Sequence, residues 1–504
     1  MKNCEIRISN FEVAGGAGWC APASSQFEFR NSKFETGRGF VLIVVLVVVS
    51  LLSLLAVTQM LITRSESAAS VASVGGQQAR AAAYSGIVRA MALLKQSPND
   101  LAGRSDNPQV FQDQCVSGSG ADGWYFSVYS PNPDDSRQVR YGVEDENGKF
   151  NLNLYALVPA TPPGMLTALL PDRPDLVDCL LDYLDADSNA RPQGAEQEYY
   201  DGLPQPYHIK NGPLTSVDEL LLVKGFTGQI VYGEDANRNG TLEPNEDDGD
   251  ASFPPDNGDG ELDCGLVACT TTLSYEPNTD FAGQGRININ TPISASDLQS
   301  LNNDFPPETA KFLAARRAVN RPFKDVSELL DLQENLVDPS DTNPQTKGKP
   351  IPLASGITAS NLAKALDRLT TGGVKIAGQE MLLGRVNVNS APAKVLAAIF
   401  GDAQAAQKAI DERAGLSADE AQTPAWLLTH QVMASSGAFK VVGPYITARS
   451  FQFRLRSMGY NPASGRYCVL EAVIDTAGPT ARVVYLRDLT GLGVPLVPPG
   501  REKS

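Results

Sequence analysis

The sequence has few of the residues and motifs on which enzymes most often rely. It contains two histidines, His208 and His430, which lie far apart along the chain. It has no G-x-S-x-G nucleophile motif, no H-E-x-x-H zinc motif and no glycine-rich phosphate loop. Its net charge of −16 argues against broad binding to phosphate backbones, which requires an excess of Lys and Arg. We therefore expect no enzyme activity and no nucleic-acid partner.

Charge is also absent from one long apolar run, Phe40 to Thr63. At about 1.5 Å per residue, this run forms a helix of roughly 36 Å, enough to cross a hydrocarbon core of about 30 Å. It is longer than the core of a secretory signal, and no small-residue cleavage site follows it. The cations Arg30, Lys33 and Arg38 precede it, which predicts a single-pass protein with its N-terminus in the cytoplasm. A plain signal-anchor helix is one interpretation.

The residues at the start of this run support a second interpretation. The segment Arg38-Gly39-Phe40-Val41-Leu42 resembles the signal of type IV prepilins. That resemblance implies cleavage after Gly39 by a prepilin peptidase, methylation of Phe40, and a retained helix that later packs in a filament. Most pilins have Glu at the fifth mature residue, where this chain has Val44. The absence of that Glu is typical of the K-type minor pseudopilin of type II secretion, a subunit at the filament tip.

Alternating apolar residues predict antiparallel strands near both ends of the exported region. The helix is expected to continue from Ser65 to Gln96, where Gly75-Gly76 weakens it and could bend it. The predicted strands then fall into an early and a late group: 123–129 and 138–144, then 450–456, 467–474 and 481–486. The economical interpretation is one sheet that is interrupted by a large insertion.

The insertion contains an internal repeat of Gly, a cation, and alternating apolar and Asn residues. Its three copies are Gly148–Asn153, Gly285–Asn290 and Gly384–Asn389, and each precedes a helix-like stretch. The segments Thr215–Leu221 and Lys324–Leu330 repeat downstream of the first two. With Leu180–Asp187 and Gly194–Tyr200, these motifs are similar to the K-type pseudopilin family over most of the chain.

This resemblance implies an α+β fold: a pilin-like long N-terminal helix and antiparallel sheet, with a large, mostly α-helical domain inserted in the sheet. The predicted organisation is a leader at 1–39, a transmembrane and filament helix at 40–63, the first part of the pilin-like domain at 64–150, an inserted domain at 151–390 with an acidic loop at 234–269, the end of the insert and the C-terminal strands at 391–490, and a tail at 491–504.

The acidic loop contains a pattern typical of calcium-binding loops. Asp235 to Glu246 fits D-x-[DN]-x-[DN]-G-x5-E without a gap. Asp235, Asn237 and Asn239 would supply side-chain oxygens, Thr241 its carbonyl, and Glu246 a bidentate carboxylate. From Glu234 to Asp263 there are eleven acids and one cation, Arg238. The alternative is a solvated acidic loop without metal, but the spacing favours structural calcium, and so does the resemblance, because K-type pseudopilins bind calcium.

A second acidic cluster follows and fits the calcium pattern less well. The further candidate ligands in and before it are Asp248, Asp250, Asp256, Asp259 and Asp263. Next to this cluster, Cys264 and Cys269 either close a small disulfide loop or are two unrelated thiols. Cys4 and Cys20 lie in the predicted leader, which leaves an odd number of five cysteines for an oxidising compartment. Zinc is disfavoured, because no second Cys or His pair lies nearby.

The predicted function is that of a minor pseudopilin in the inner membrane, with most of the chain in the periplasm. It would sit at the tip of the type II secretion pseudopilus, initiate filament assembly and aid export of folded proteins. Its expected partners are the I- and J-type minor pseudopilins, the major pseudopilin, the prepilin peptidase and the inner-membrane assembly platform. The alternative is a minor pilin of a type IV pilus or DNA-uptake system, because Leu222–Gly228 resembles the hairpin of a helix-hairpin-helix unit.

Overall fold

The computed structural model describes residues 40–96, 101–133, 135–158, 161–342, 345, 347–376 and 378–492. The chain divides into two units, residues 1–71 and 72–504, which are described separately. The α-helices are α1 Phe40–Gln96, α2 Leu101–Ser105, α3 Pro108–Phe111, α4 Leu154–Leu157, α5 Gly164–Leu169, α6 Pro174–Leu184, α7 Gln197–Asp201, α8 Gly228–Tyr232, α9 Ala295–Asp304, α10 Pro307–Ala318, α11 Leu362–Arg368, α12 Ala393–Phe400, α13 Ala403–Arg413, α14 Trp426–Thr429 and α15 Ser436–Val442.

Eighteen strands accompany these helices in the described ranges. They are β1 Gln114–Ser117, β2 Trp124–Pro131, β3 Val139–Arg140, β4 Glu144–Asp145, β5 Phe150–Asn151, β6 Thr270–Thr271, β7 Glu276–Pro277, β8 Ile287–Asn288, β9 Gln333–Leu336, β10 Ile351–Ala354, β11 Leu369–Thr370, β12 Val374–Ile376, β13 Gln379–Leu382, β14 Val386–Asn387, β15 Ile446–Thr447, β16 Gln452–Asn461, β17 Arg466–Asp475 and β18 Arg482–Asp488.

The first unit is described from Phe40 onward and consists of the first part of α1. Its side chains from residue 41 to residue 71 are all exposed, although those up to residue 63 are uncharged and mostly apolar. Among the described residues, α1 is the one helix that is long and apolar enough to cross a membrane. These properties fit a single-pass membrane anchor. The α1 helix runs without interruption through Gly75-Gly76 to Gln96.

The second unit is built on a seven-stranded antiparallel sheet. The strand order is β1-β2-β16-β17-β18, with β3 paired to β2 and β4 paired to β16. The long hairpin of β16 and β17 pairs from Gln452 opposite Asp475 to Asn461 opposite Arg466. The chain leaves this sheet after β4 and returns to it at β16. The predicted α+β fold, with one sheet interrupted by a mostly helical insertion, is therefore confirmed.

One predicted strand is divided in the structure. The segment 138–144 forms two short strands, β3 and β4, which pair with different neighbours. Between them, a Cβ on Gly142 would lie 2.4 Å from the carbonyl oxygens of Arg104 and Ser105, and Val143 donates its N–H to the Arg104 carbonyl at 2.9 Å. The chain around α2 therefore occupies the space that a continuous strand would need.

The C-terminal part of α1 packs on one face of the sheet. Ala79, Ala83, Ile87, Ala90 and Leu94 recur at helical spacing and are buried against apolar residues of the strands. The small alanines allow the backbones to approach closely. At Gly459 on β16, a Cβ would lie 2.2 Å from both the Ala79 carbonyl oxygen and the Ala83 nitrogen, so this position requires glycine.

The three Asn repeats adopt the same local structure. Each begins with a two-residue strand that pairs in parallel with a distant strand: β5 with β6, β8 with β11, and β14 with β15. In each copy, the first Asn accepts a hydrogen bond from the backbone N–H of the second Asn, at 2.9 Å. The second Asn then donates its amide to two backbone carbonyls, as Asn153 does to Leu214 and Thr272, Asn290 to Phe323 and Thr371, and Asn389 to Ala421 and Ala448.

The insertion has its own apolar core, separate from the core beneath α1. The two downstream repeats, which contain Ser-Val-Asp-Glu-Leu-Leu and Asp-Val-Ser-Glu-Leu-Leu, form the equivalent 3-10 helices Val217–Leu222 and Val326–Leu329. Leu220 and Leu329 are fully buried in this core. The repeated sequence therefore reflects a repeated structural unit, in which an Asn fixes the strand and a leucine anchors the turn.

Candidate metal centre

The acidic loop begins directly after α8, where Thr227 caps the helix N-terminus and Gly233 ends the helix with a φ of +64°. The loop ends in the 3-10 helix Pro244–Glu246. Gly233 and Glu234 separate the end of α8 from Asp235. Gly240 has a φ of +70°, and a Cβ there would lie 2.6 Å from Pro131 Cγ, so the sharp turn lies close to β2.

Side-chain oxygens turn inward along this loop. The Asp235 carboxylate accepts hydrogen bonds from the N–H groups of Asn239, at 3.0 Å, and Gly240, at 2.9 Å. Asn237 Oδ1 accepts from Asn239 N at 2.9 Å, and Asn239 Oδ1 accepts from Thr241 N at 2.7 Å. Asp235, Asn239 and Thr241 are all buried. A closed turn with its side-chain oxygens on the inside is thus formed by Asp235, Asn237, Asn239 and Thr241.

Glu246 closes the loop from its far end. It is 1 % exposed, and its carboxylate accepts from Ala236 N at 2.9 Å and from Glu243 N at 3.1 Å. The loop therefore brings together the five residues from Asp235 to Glu246 that the sequence analysis proposed as ligands.

Burial makes negative charge unfavourable at both ends of this loop. Burial raises the pKa of Glu246 to about 7; the Glu243 and Ala236 N–H groups oppose this shift, and the charges of Asp235 and Glu243 add to it. Burial also raises the pKa of Asp235, although the nearby Arg456 guanidinium opposes this shift. The Arg238 guanidinium lies 3.8 Å from the centre of the Tyr232 ring, and its Nη1 lies 3.8 Å from Asp218 Oδ1. Both of these partners lie outside the loop. The loop thus carries more negative charge than its own cation offsets.

Two residues that the sequence analysis did not select help to build the loop. Glu243 accepts hydrogen bonds from the side-chain amides of Asn237 and Asn239, at 2.9 and 3.0 Å. Arg456 on β16 donates to the Asn239 carbonyl and links the loop to the sheet. Glu243 occupies the ninth position of the pattern, where calcium loops often place an oxygen ligand, so the spacing could have identified it. Arg456 has no local signal in the sequence.

The remaining acids form a separate turn. The Asp256 carboxylate accepts from the N–H groups of Asp248, Gly249 and Gly258 at 2.8 to 3.1 Å. Asp259 accepts from Glu261 N, and Asp263 accepts from Gly265 N, both at 2.9 Å. Asp248, Asp250, Asp259 and Asp263 are exposed. The carboxylates of Asp256, Asp259 and Asp263 are thus engaged with backbone groups of their own turn.

The donor set of the buried loop is the type that calcium prefers. All of its candidate ligand atoms are hard carboxylate, amide or carbonyl oxygens, and the described residues of the loop include no sulfur or imidazole. The glycine that such a sharp turn needs is present at Gly240. The residues therefore fit a calcium ion chemically.

Of the two alternatives for Cys264 and Cys269, a disulfide or two unrelated thiols, the structure has two free cysteines. They stand at the two ends of the 3-10 helix Gly265–Ala268. Cys269 is 3 % exposed and packs in the core of the insertion. Cys264 is only partly buried and lies near Asp235 and Arg456. The intervening helical turn thus places the two thiols in different surroundings.

The other predicted sites are only partly described. Gly39, the predicted cleavage position, lies outside the described residues, and Phe40 is the first residue of α1. Val44 is an exposed residue in the first turns of that helix. In the hairpin-like segment, Gly225 has a φ of +86°, and Lys224 lies 4.7 Å from the centre of the Tyr199 ring. The Lys224 side chain therefore already has an intramolecular partner.

Comparisons with known proteins identify part of the insertion. Residues 148–232 match the family described as type II secretion system (T2SS), protein K. A type II secretion system protein K of Escherichia coli (strain K12) is 30 % identical over 111 residues, which cover 19 % of this chain. The match spans 34 % of the length of that relative.

A solved structure also aligns with the chain: the GspK-GspI-GspJ complex of the enterotoxigenic Escherichia coli type 2 secretion system. The alignment covers 84 % of this chain and 98 % of the solved chain, with 12 % identity and a TM-score of 0.39. The matched segment 148–232 begins at the first Asn repeat and ends with α8. The predicted resemblance to the K-type pseudopilins of type II secretion is confirmed over residues 148–232, which match a domain of the protein K family.

Proposed function

We propose that this chain is the minor pseudopilin at the tip of a type II secretion pseudopilus, where it initiates assembly and aids export of folded proteins. The observation that carries this proposal is the match of residues 148–232 to protein K, in a chain whose helix α1 begins with an apolar, uncharged stretch from Phe40 to Thr63. Such a helix can remain in the inner membrane before assembly and pack against neighbouring pilin helices afterwards. Most of the chain would then lie in the periplasm.

Val44 and the insertion both favour a position at the tip. A Glu at the fifth mature residue would pair with the N-terminus of the subunit above, and Val44 cannot form that pair. The insertion between β4 and β16 is bulky, which suits a subunit with nothing stacked above it. The solved GspK chain is in a complex with GspI and GspJ. We propose that the corresponding I- and J-type pseudopilins, the major pseudopilin, the prepilin peptidase and the assembly platform are the partners of this chain.

The proposal is tested by blocking the predicted processing. In a deletion strain complemented with Gly39→Val, we expect no cleavage and a loss of protein secretion, because a branched side chain at the cleavage position obstructs the peptidase. Gly37→Val, two residues earlier in the leader, is the matched control and should be processed normally. Mass spectrometry of the mature N-terminus should find methylated Phe40 in the control and in the wild type.

Two results would contradict this proposal. If Gly39→Val remains uncleaved but secretion is normal, the chain acts as a plain signal-anchor protein. If the deletion abolishes pilus function or DNA uptake and leaves secretion intact, the chain belongs to a type IV pilus or DNA-uptake system.

We further propose that a calcium ion binds the loop from Asp235 to Glu246. Asp235, Asn237, Asn239, Thr241 and Glu246 would hold it. The ion would supply positive charge among the buried carboxylates, and it would connect the start of the loop to its end. The protein's own residues already fix the turn through the hydrogen bonds of Asp235 and Glu246, so the role of the ion is structural.

Removal of calcium should lower the stability of the full-length chain in detergent. A ligand present at about 100 times its Kd stabilises the folded state by about 3 kcal/mol. Thermal unfolding followed by circular dichroism should therefore show a higher Tm in calcium than in EGTA for the wild type. Glu246→Gln should lose most of this difference, whereas the same substitution at the exposed Glu261 should keep it. Identical melting of the wild type with and without chelator would exclude the site.

A further inference from the structure

Each Asn repeat also carries a cation, and the surroundings of this cation differ between the copies. In the first copy, Lys149 Nζ lies 2.9 Å from Glu144 Oε1 and 3.6 Å from Glu146 Oε1. One cation there is accompanied by two carboxylates. In the second and third copies the cations are Arg286 and Arg385, which stand just before β8 and β14. Both line the same cavity, so the two repeats meet at this point.

The cavity between these repeats lies within the insertion and is small. Its volume is about 20 Å³, and about 10 to 15 Å³ is enough to hold one water molecule. Arg449, which follows β15, contributes the third guanidinium of the wall. The apolar part of the wall includes Val326, Leu366, Pro424 and Ile446. The cavity therefore has room for one particle of about the size of a water molecule or a halide ion.

One carboxylate serves two of the three guanidinium groups. Glu276 is 1 % exposed, and its Oε1 accepts from Arg286 Nη2 at 2.7 Å and from Arg449 Nη1 at 3.3 Å. Burial lowers the pKa of Arg449; the charge of Glu276 opposes this shift, the charge of Arg286 adds to it, and Asp367 and Asp280 oppose it more weakly. Two like charges are thus held close together around a single shared carboxylate.

The two acids in the cavity wall are engaged with other donors. Asp325 Oδ2 accepts from Arg385 Nη2 at 3.1 Å, and its Oδ1 accepts from Ser327 N at 2.8 Å. Asp367 Oδ1 accepts from Phe281 N at 2.7 Å. Together with the shared carboxylate, these acids equal the guanidinium groups in number. A surplus of hydrogen-bond donors, rather than of net charge, therefore distinguishes this cavity, because a guanidinium has five N–H donors and no acceptor.

One of these donors is buried without a partner. The Arg286 side chain is 4 % exposed, and its Nη1 has no hydrogen-bond partner among the described residues. Its other nitrogens are occupied, Nη2 by Glu276 and Nε by the Asp367 backbone carbonyl at 3.0 Å. A buried charged donor of this kind lowers stability, because it has lost its contact with water without gaining an acceptor. An acceptor inside the cavity would remove that penalty.

We propose that this cavity binds one chloride ion, held by Arg286, Arg385 and Arg449. A halide ion only accepts hydrogen bonds, whereas a water molecule also has to donate them, and the carboxylates of the wall are already in use. Hydrogen bonds between a guanidinium and an anion are also stronger than those to a neutral acceptor. The ion would join the cations of the second and third Asn repeats to the segment after β15, and would fix these three segments of the insertion against one another.

Bromide can take the place of chloride and can be located directly. Crystals of the full-length chain grown in detergent are soaked in sodium bromide, and anomalous diffraction is measured at the bromine absorption edge. We expect one anomalous peak inside the cavity, in contact with Arg286 Nη1. An ordered water molecule in the cavity, with no anomalous peak, would overturn the proposal.

Thermal unfolding at constant ionic strength gives a second readout. The full-length chain is kept in detergent with EGTA, so that the proposed calcium loop does not contribute. The Tm of the wild type should be higher in sodium chloride than in sodium gluconate, whose anion is too large for the cavity, and the difference should saturate as chloride is raised. Arg286→Lys should lose this difference, because it removes Nη1 but keeps a positive charge facing Glu276.

The same substitution at the exposed Arg321 is the matched control and should keep the difference between the two salts. A difference that rises without saturation, or that is equal in Arg286→Lys and Arg321→Lys, would be a general effect of salt and would refute the chloride site. If Arg286→Lys does not fold, the bromide soak of the wild type decides the question alone.

Discussion

Replacing Glu146 with glutamine is expected to destabilise the protein by about 3 to 5 kcal/mol at neutral pH, the cost typical of breaking a buried ion pair. Glu146 is fully buried at the point where the chain leaves the sheet for the insertion. Arg454 Nε on β16 donates to Glu146 Oε1 at 2.7 Å, and Lys149 Nζ lies 3.6 Å from the same oxygen. Thr271 donates its hydroxyl to the other oxygen. Glutamine keeps the shape but leaves the buried Lys149 and the partly buried Arg454 short of one negative charge.

The same contacts predict how stability depends on pH. Burial alone would raise the pKa of Glu146, but the nearby Arg454 and Lys149 charges hold it down to about 2, below its ordinary value of 4.5. A carboxyl whose pKa is lowered on folding stabilises the folded state above its unfolded pKa, and this contribution is lost as the pH falls towards 2. The wild type should therefore lose stability between about pH 5 and pH 2, and Glu146→Gln should lose less over that range.

Urea unfolding of the full-length chain at several pH values measures both effects. Glu308→Gln is the matched control, because Glu308 is exposed at the start of α10 and its substitution should change stability by about 0.5 kcal/mol or less. If Glu146→Gln unfolds within about 1 kcal/mol of the control at pH 7, the ion cluster does not hold the insertion to the sheet.

The sequence could predict the elements whose signals are local. The uncharged run from Phe40 and the alanines at helical spacing indicated α1, and alternation indicated β2, β16, β17 and β18. The Asn repeats could be identified because each copy contains its own pattern within six residues. Their parallel partner strands could not be identified, because β6, β11 and β15 are only two residues long and show no periodicity.

The candidate sites, too, could be predicted only where their residues lie close together in the sequence. The spacing from Asp235 to Glu246 predicted one closed loop, because all of its ligands come from one short segment. Glu146 and Arg454 are 308 residues apart, so their contact is a property of the fold and of no local pattern.

Gly459→Ala is expected to destabilise the second unit by about 3 kcal/mol, the upper part of the usual range for overpacking a core. The added methyl group would lie 2.2 Å from the Ala79 carbonyl oxygen and from the Ala83 nitrogen. Both are backbone atoms inside α1, so no side-chain rotation can relieve the overlap. The helix would have to move away from β16 and uncover the apolar residues that Ala83 and Ile87 now contact.

The control is the same substitution at Gly76, where an added Cβ meets nothing within 4 Å. Alanine has a higher helix propensity than glycine, so Gly76→Ala should stabilise the protein by about 0.5 to 1 kcal/mol. Alanine is also favoured over glycine within a strand by a similar amount, so propensity alone predicts stabilisation at both positions. If urea unfolding shows a lower free energy of unfolding for Gly459→Ala and a higher one for Gly76→Ala, the close contact between α1 and β16 determines the effect at Gly459. Stabilisation by Gly459→Ala would show instead that the helix can withdraw from the sheet at little cost, and that the alanines of α1 are not needed for close packing.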